Sequence, residues 1–201
     1  WSFIMGLISN ATNIFDAGAM ASGFGGSMTF ISSQTASNSA SISFTTGITS
    51  TYKEYQFYFV DINPATDQEE FKFQGSTDGG SNYGVTITSA AFRAYHVETD
   101  DASGFGYHAS GLAQSTAFQS LTNGIGNDSD ESCAGSLTIF NPSSTTYVKH
   151  FISRFNGYQG SNYSIEVNTA GYFNTTSAIN AVQFKFGSGN FDGTILMYGI
   201  N

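Results

Sequence analysis

The chain has 201 residues, of which 10% are charged and 15% aromatic, and its 15 acids against 6 bases leave a net charge of -9. That balance excludes a nucleic-acid binder, which needs a basic face to displace counterions from phosphates, and electrostatic docking on an anionic membrane. A single cysteine, Cys133, rules out an internal disulfide, and no apolar run reaches the roughly 20 residues of a membrane span.

Taken in chain order, the first segment has a period of its own. Leu7, Ala11, Ile14 and Gly18 recur at spacings of three and four, with Ile8 and Phe15 beside them. This predicts a short helix, or at least an apolar arm, over residues 1–21. A helix this short is marginal unless something covers its apolar side. The Gly-rich stretch "ASGFGG" (21–26) reads as a hinge. Residues 1–26 are therefore read as an attachment arm, with Leu7, Ile8, Ile14 and Phe15 as its contact residues. The other reading of the same residues is a terminal helix packed on its own domain.

From Ser27 onward the period is two. "SMTFIS" (27–32), "ASISFT" (40–45) and "EYQFYFVDI" (54–62) alternate, the last with apolar residues on both faces, which predicts a central strand. "EEFKFQ" (69–74) puts Phe71 and Phe73 inside and Glu70 and Lys72 outside. "YGVTITSAAFRAYHV" (83–97) is long enough for one bent strand or two. "GSLTIFN" (135–141), "TYVKHFISRF" (146–155), "SIEVNTAGYF" (164–173), "INAVQFKFG" (179–187) and "GTILMYGI" (193–200) complete about ten strands. Asp78-Gly79-Gly80, Gly187-Ser188-Gly189-Asn190 and Asp192-Gly193 are turn signals, and the last two predict that the final two strands form a hairpin. With that last strand running almost to the final residue, attachment by a terminus is assigned to the N-terminal end. The expected fold is all-β: one antiparallel two-sheet sandwich of the jelly-roll kind over 27–201, preceded by the helical or extended arm 1–26.

Residues 98–133 carry few strand signals, with a turn or two of helix expected in "GLAQSTAFQSL" (111–121), and read as a long loop and recognition surface. Tyr107, Tyr158 and Tyr163 are the candidate contact residues, suited to stacking on sugars or filling a partner surface. For hard cations, Asp61, Asp67, Asp128, Asp130 and Glu131 supply oxygens in two loops, so Ca²⁺ is the one cofactor considered. The first of those loops lacks the glycine and glutamate of a calcium-binding hand, having Thr66 and Lys72 there. His96, His108 and His150 lie in no metal-binding spacing, Cys133 in no catalytic-thiol motif, and no serine sits in a nucleophile elbow.

Several stretches, "LISNATNIFDAG", "TFISSQTASNSASISFTTGITSTYKEYQFYFVDINPATD", "FQGSTDGGSNYG", "FRAYH", "FNPSSTTYVKHFISR" and "INAVQFKFGSGNFDGTILMYGI", resemble a group of virion proteins of tailed bacteriophages, environmental and aquatic ones especially. The resemblance runs along nearly the whole chain and implies a component of the particle, with no catalytic residues to carry over. The expected function is thus a non-enzymatic capsid decoration or cement protein. It would be assembled in the host cytoplasm and exposed on the virion exterior, holding a major capsid protein or another virion protein through its arm and self-associating as a trimer. The alternative is a tail-fibre or head-fibre module that recognises host glycans.

Overall fold

The computed structural model describes residues 27–201 in full and, within residues 1–26, only the backbone of four two-residue strands. There β1 (Ile8–Ser9) pairs with β2 (Thr12–Asn13), and β3 (Phe15–Asp16) with β4 (Ala19–Met20), both antiparallel. These described pieces are extended rather than helical. The side chains of Leu7, Ile8, Ile14 and Phe15 lie outside the described residues.

Twelve strands follow: β5 (Met28–Ser39), β6 (Ile42–Phe44), β7 (Glu54–Pro64), β8 (Phe71–Ser76), β9 (Ile87–Val97), β10 (Ser103–Tyr107), β11 (Gln119–Ser120), β12 (Cys133–Phe140), β13 (Lys149–Gln159), β14 (Tyr163–Phe173), β15 (Ala181–Phe186) and β16 (Phe191–Ile200). They form two antiparallel sheets. The larger runs β10-β9-β14-β13-β12-β7-β16-β5, the smaller β11-β8-β15-β6. No helix occurs among the described residues.

Alternation decides which side chains meet between the sheets. Tyr55, Phe57 and Phe59 of β7 and Phe151 and Phe155 of β13 point inward from the large sheet; Phe71, Phe73, Phe184 and Phe186 answer from the small one, all nearly inaccessible to solvent. Phe184 lies at the centre. Its ring is 5.3 Å from Phe57 and 5.0 Å from Phe59 across the sandwich, and 6.1 Å from Phe71 and 6.4 Å from Phe73 within its own sheet. The contacts across the sandwich are edge-to-face and those within the sheet stacked, and both geometries add to the burial of each ring.

Some expectations needed correction. The last two strands do not form a hairpin: β15 pairs with β6 and β8, whereas β16 pairs with β5 and β7 in the other sheet. The four residues 187–190 arch between sheets, so that buried Phe184 and Phe186 face buried Ile195 and Met197 instead of sharing one surface with them. Gly193, at φ +134°, is not in a turn but inside β16, beside an extra residue in each of the strands that flank it. The matching irregularity in β7 holds Asp61 at φ +52° and returns Ile62 to the core after exposed Val60. Nor is β7 covered on both faces; its second apolar face is open to solvent at Tyr58 and Val60.

Because Phe184 touches both sheets, replacing it should loosen them together. Phe184→Ala is expected to cost about 3–5 kcal/mol, read as a lowered midpoint in denaturant unfolding with an unchanged slope.

Candidate binding face

The large sheet is twice as many strands wide as the small one. Its inner side beneath β9 and β14 is therefore covered by chain rather than by strands. Residues 108–126 do this. Residues 108–115 continue β10 along the edge of β9, where Ser89 N–H donates to Leu112 O and Ile87 and Ser115 exchange backbone hydrogen bonds; residues 119–125 then run beside β8, Leu121 N–H donating to Phe71 O, and Asn123 accepts from Arg93 at 3.1 Å. The segment expected as a long free loop is thus partly a lining. It contributes β10 and β11, and it buries Gln119, Leu121 and Ile125. The expected helical turn in 111–121 is absent. The buried Gln74 amide donates to three carbonyls, those of Val85, Thr116 and Ala117, and Gln119 donates to Ser110 O and Ser120 O, which hold this irregular backbone in place of ladder partners.

His108 belongs to the same lining. Asn123 Nδ2 lies 2.9 Å from His108 Nε2, while Nδ1 lies 2.6 Å from Ser110 Oγ. Because Asn123 also accepts from Arg93, its amide donates to the ring, which is then neutral with the proton on Nδ1. Burial and then the charge of Arg93 hold this imidazole below its ordinary 6.5. Lys149, fully buried on β13, donates to Thr175 O at 3.0 Å, and desolvation lowers its pKa. Burial likewise pushes the Cys133 thiol far above its usual range, so it is an inert packing residue in this fold.

The outer face of the large sheet has no second layer among the described residues. Register sets its side chains in rows across the strands. One row reads Tyr58, Ser136, Arg154, Asn168, Phe92, Tyr107, each directly opposite the next. The neighbouring row carries Asn156, Glu166, Ala94 and Phe105. Arg154 Nε donates to Glu166 Oε1 at 2.7 Å, and Asn168 Nδ2 donates to the same oxygen at 2.9 Å. These bonds raise the pKa of Arg154 and lower that of Glu166. A shallow trough of about 460 Å³ is lined by Tyr58, Ser136, Arg154, Asn156 and Glu166, with Ala134 and Gly135 between them. A second depression of about 420 Å³, more apolar, has Phe92, Tyr107, Ile152 and Asn168 among its walls. Phe105 and Tyr107, 76% and 72% exposed, stand at its rim.

The other residues singled out from sequence are dispersed. Tyr107 is on the outer face of the large sheet, exposed to solvent. Tyr158, on the same face, donates to Asn162 Oδ1, whereas Tyr163 stacks on Tyr95 at 5.7 Å. Of the cation candidates, Asp61 is in the β7 bulge, Asp67 abuts Gly160, and buried Glu131 accepts from the Asp128 backbone. Among the described residues no three His, Cys, Asp or Glu side chains gather closely enough to hold a metal ion. His96 pairs with Asp100 at 2.8 Å and His150 packs on Tyr172, both away from His108. Sequence reasoning passed over Tyr58, Arg154, Glu166 and Asn168. Their only signal is that each sits at a polar, outward position of a well-formed strand; which neighbours they meet depends on register.

No family model, curated protein or solved structure matches the chain.

A histidine bound as the neutral form takes up fewer protons folded than unfolded, so the lining should lose stability as pH falls below 6.5 toward the lower pKa of the folded state. Hydrogen exchange of the amides in 108–123 should accelerate over that window, and His108→Gln should remove the pH dependence.

Proposed function

We propose that the chain is a non-enzymatic structural protein on the exterior of a phage particle, a decoration or cement protein. It would bind a major capsid protein or another virion protein and self-associate, as a trimer, within the assembly. One observation carries this reading more than any other, the state of β5. This strand is twelve residues long, stands at the edge of the large sheet, and contains neither a charged residue nor a proline. Exposed edges of that kind invite pairing with another chain, and proteins that remain alone usually blunt them with lysine, proline, short length or bulges; β5 has only the last, at its two register shifts against β16. Here the strand also presents Met28 and Phe30, the latter 54% exposed, at the point where residues 1–26 join the body. An apolar arm entering beside an open edge and an apolar margin fits a protein completed by its neighbours.

The finer fold name belongs to the same proposal. We read the body as a jelly roll, supported by the pairing order. Strands β5, β16, β7 and β12 lie side by side in one sheet, and β6, β15, β8 and β11 in the other. That is the pattern obtained when one long hairpin is wrapped into two facing sheets. The pairs β9–β10 and β13–β14 are then insertions that widen the first sheet. Such rigid, weakly charged sandwiches suit symmetric shells.

Removing residues 1–21 should abolish occupancy on purified capsids, measured by cryo-EM or by co-sedimentation, and should lower the particles' thermal stability. Unchanged occupancy would overturn the attachment role of the arm.

A further inference from the structure

We infer that the outer face of the large sheet carries a binding trough for a neutral saccharide chain, laid across the strands from Tyr58 to Tyr107. A pyranose presents a face of C–H bonds and a rim of hydroxyls, each of which both donates and accepts. Its site therefore needs an aromatic surface beside paired donors and acceptors, on a floor without bulky side chains. The trough has all three. Tyr58 forms one wall, its ring fixed edge-on against Tyr198 at 5.7 Å, with Tyr198 in turn held by Phe30 at 5.5 Å. Ala134, Gly135 and Ser136 make the low floor. The facing wall offers the Arg154 guanidinium, the Glu166 carboxylate and the Asn156 amide.

These polar groups retain bonding capacity. Arg154 spends only Nε on Glu166, leaving both Nη groups without a partner among the described residues, and Glu166 accepts both of its bonds on Oε1. Arg154 is 70% exposed at the side chain and Glu166 34%, so a ligand reaches both. The Nε–Oε1 bond, with Asn168 donating to the same oxygen, orients the two side chains toward each other. Beyond them the same row continues through Asn168 to the aromatic pair Phe92 and Phe105, 5.5 Å apart, and to Tyr107. From Tyr58 to Tyr107 the row crosses five strand spacings, about 24 Å, which is room for several sugar units.

Charge selects among ligands. Arg154 is neutralised by Glu166 within the trough, and the whole chain carries -9. Sulfated or sialylated glycans and nucleic acids are therefore disfavoured. A protein partner fits less well, because interface cores are depleted of acidic residues and the partly exposed Glu166 carboxylate lies in the middle of this face. The inference gives recognition of host glycans a specific place on the molecule and does not depend on the arm.

The test uses the full chain against linear pentasaccharides of glucose, mannose, galactose and N-acetylglucosamine, with a sulfated oligosaccharide as the anionic control. Binding is read by saturation-transfer NMR and titration calorimetry. At least one neutral pentasaccharide should bind, and Tyr58→Ala and Arg154→Gln should each weaken it about tenfold or more. Tyr147→Ala, at an exposed aromatic outside the trough, should leave it unchanged. Circular dichroism melting checks that the variants fold, and Arg154, being exposed, serves if Tyr58→Ala does not. Deleting residues 1–21 should not alter the sugar affinity, which separates this result from the particle-attachment test. The inference is overturned if none of the neutral sugars binds, if only the sulfated one does, or if both trough variants bind like the parent. It is equally overturned if trough variants change the sedimentation coefficient while sugar binding is absent, since the face is then a protein interface.

Discussion

The contact between Phe184 and the two phenylalanines of β7 is what the rest of the molecule depends on. Two antiparallel sheets have no covalent reason to face each other, and no disulfide is available to hold them. What holds them is apolar area removed from water, concentrated in rings that interlock at edge-to-face angles. With so little charge on the chain, ion pairs contribute few constraints: three occur among the described residues, all at partly or fully exposed sites. The aromatic layer therefore carries the stability, and the surface is left to hydroxyls and amides.

That division of labour leaves the outer face of the large sheet open for binding. Since the small sheet covers only part of the large one, the wider strands need another lining, and residues 108–126 supply it from within. Their backbone is satisfied by the edges of β9 and β8 and by the buried amides of Gln74 and Gln119. The outer side then has no structural duty. Its exposed aromatics at Phe92, Phe105 and Tyr107, and its unpaired guanidinium donors on Arg154, add little to the fold itself. Residues that do little for stability in a well-packed domain are candidates for recognition, here aligned in a single cross-strand row.

Much of the fold was legible in the sequence because strands announce themselves by alternation. The positions of β7, β8, β12, β14 and β16 follow from Phe, Tyr, Ile and Val at every second place, and Phe71 and Phe73 were placed inside for that reason. Two strands were missed for physical causes. β10, "SGFGY", alternates aromatics with glycine, so its inner face has no side chain to register as apolar, and β11 is two polar residues buried by hydrogen bonds rather than by hydrophobicity. The helix expected near the N-terminus rested on the spacing of Leu7, Ala11, Ile14 and Gly18, which lie outside the described residues; the pieces described there are paired strands.

What the sequence by itself determined is therefore the class of the body, the inward and outward sides of most strands, and a strongly negative net charge. These depend on local period and on summed charge, which are properties of the chain alone. Only the tertiary structure decided which strands are neighbours. It sent β15 and β16 to opposite sheets, folded 108–126 beneath β9, and aligned Tyr58, Arg154, Asn168 and Phe92 from four strands far apart in sequence. Register across non-consecutive strands is set by how the whole aromatic layer packs, and no window of sequence contains that information.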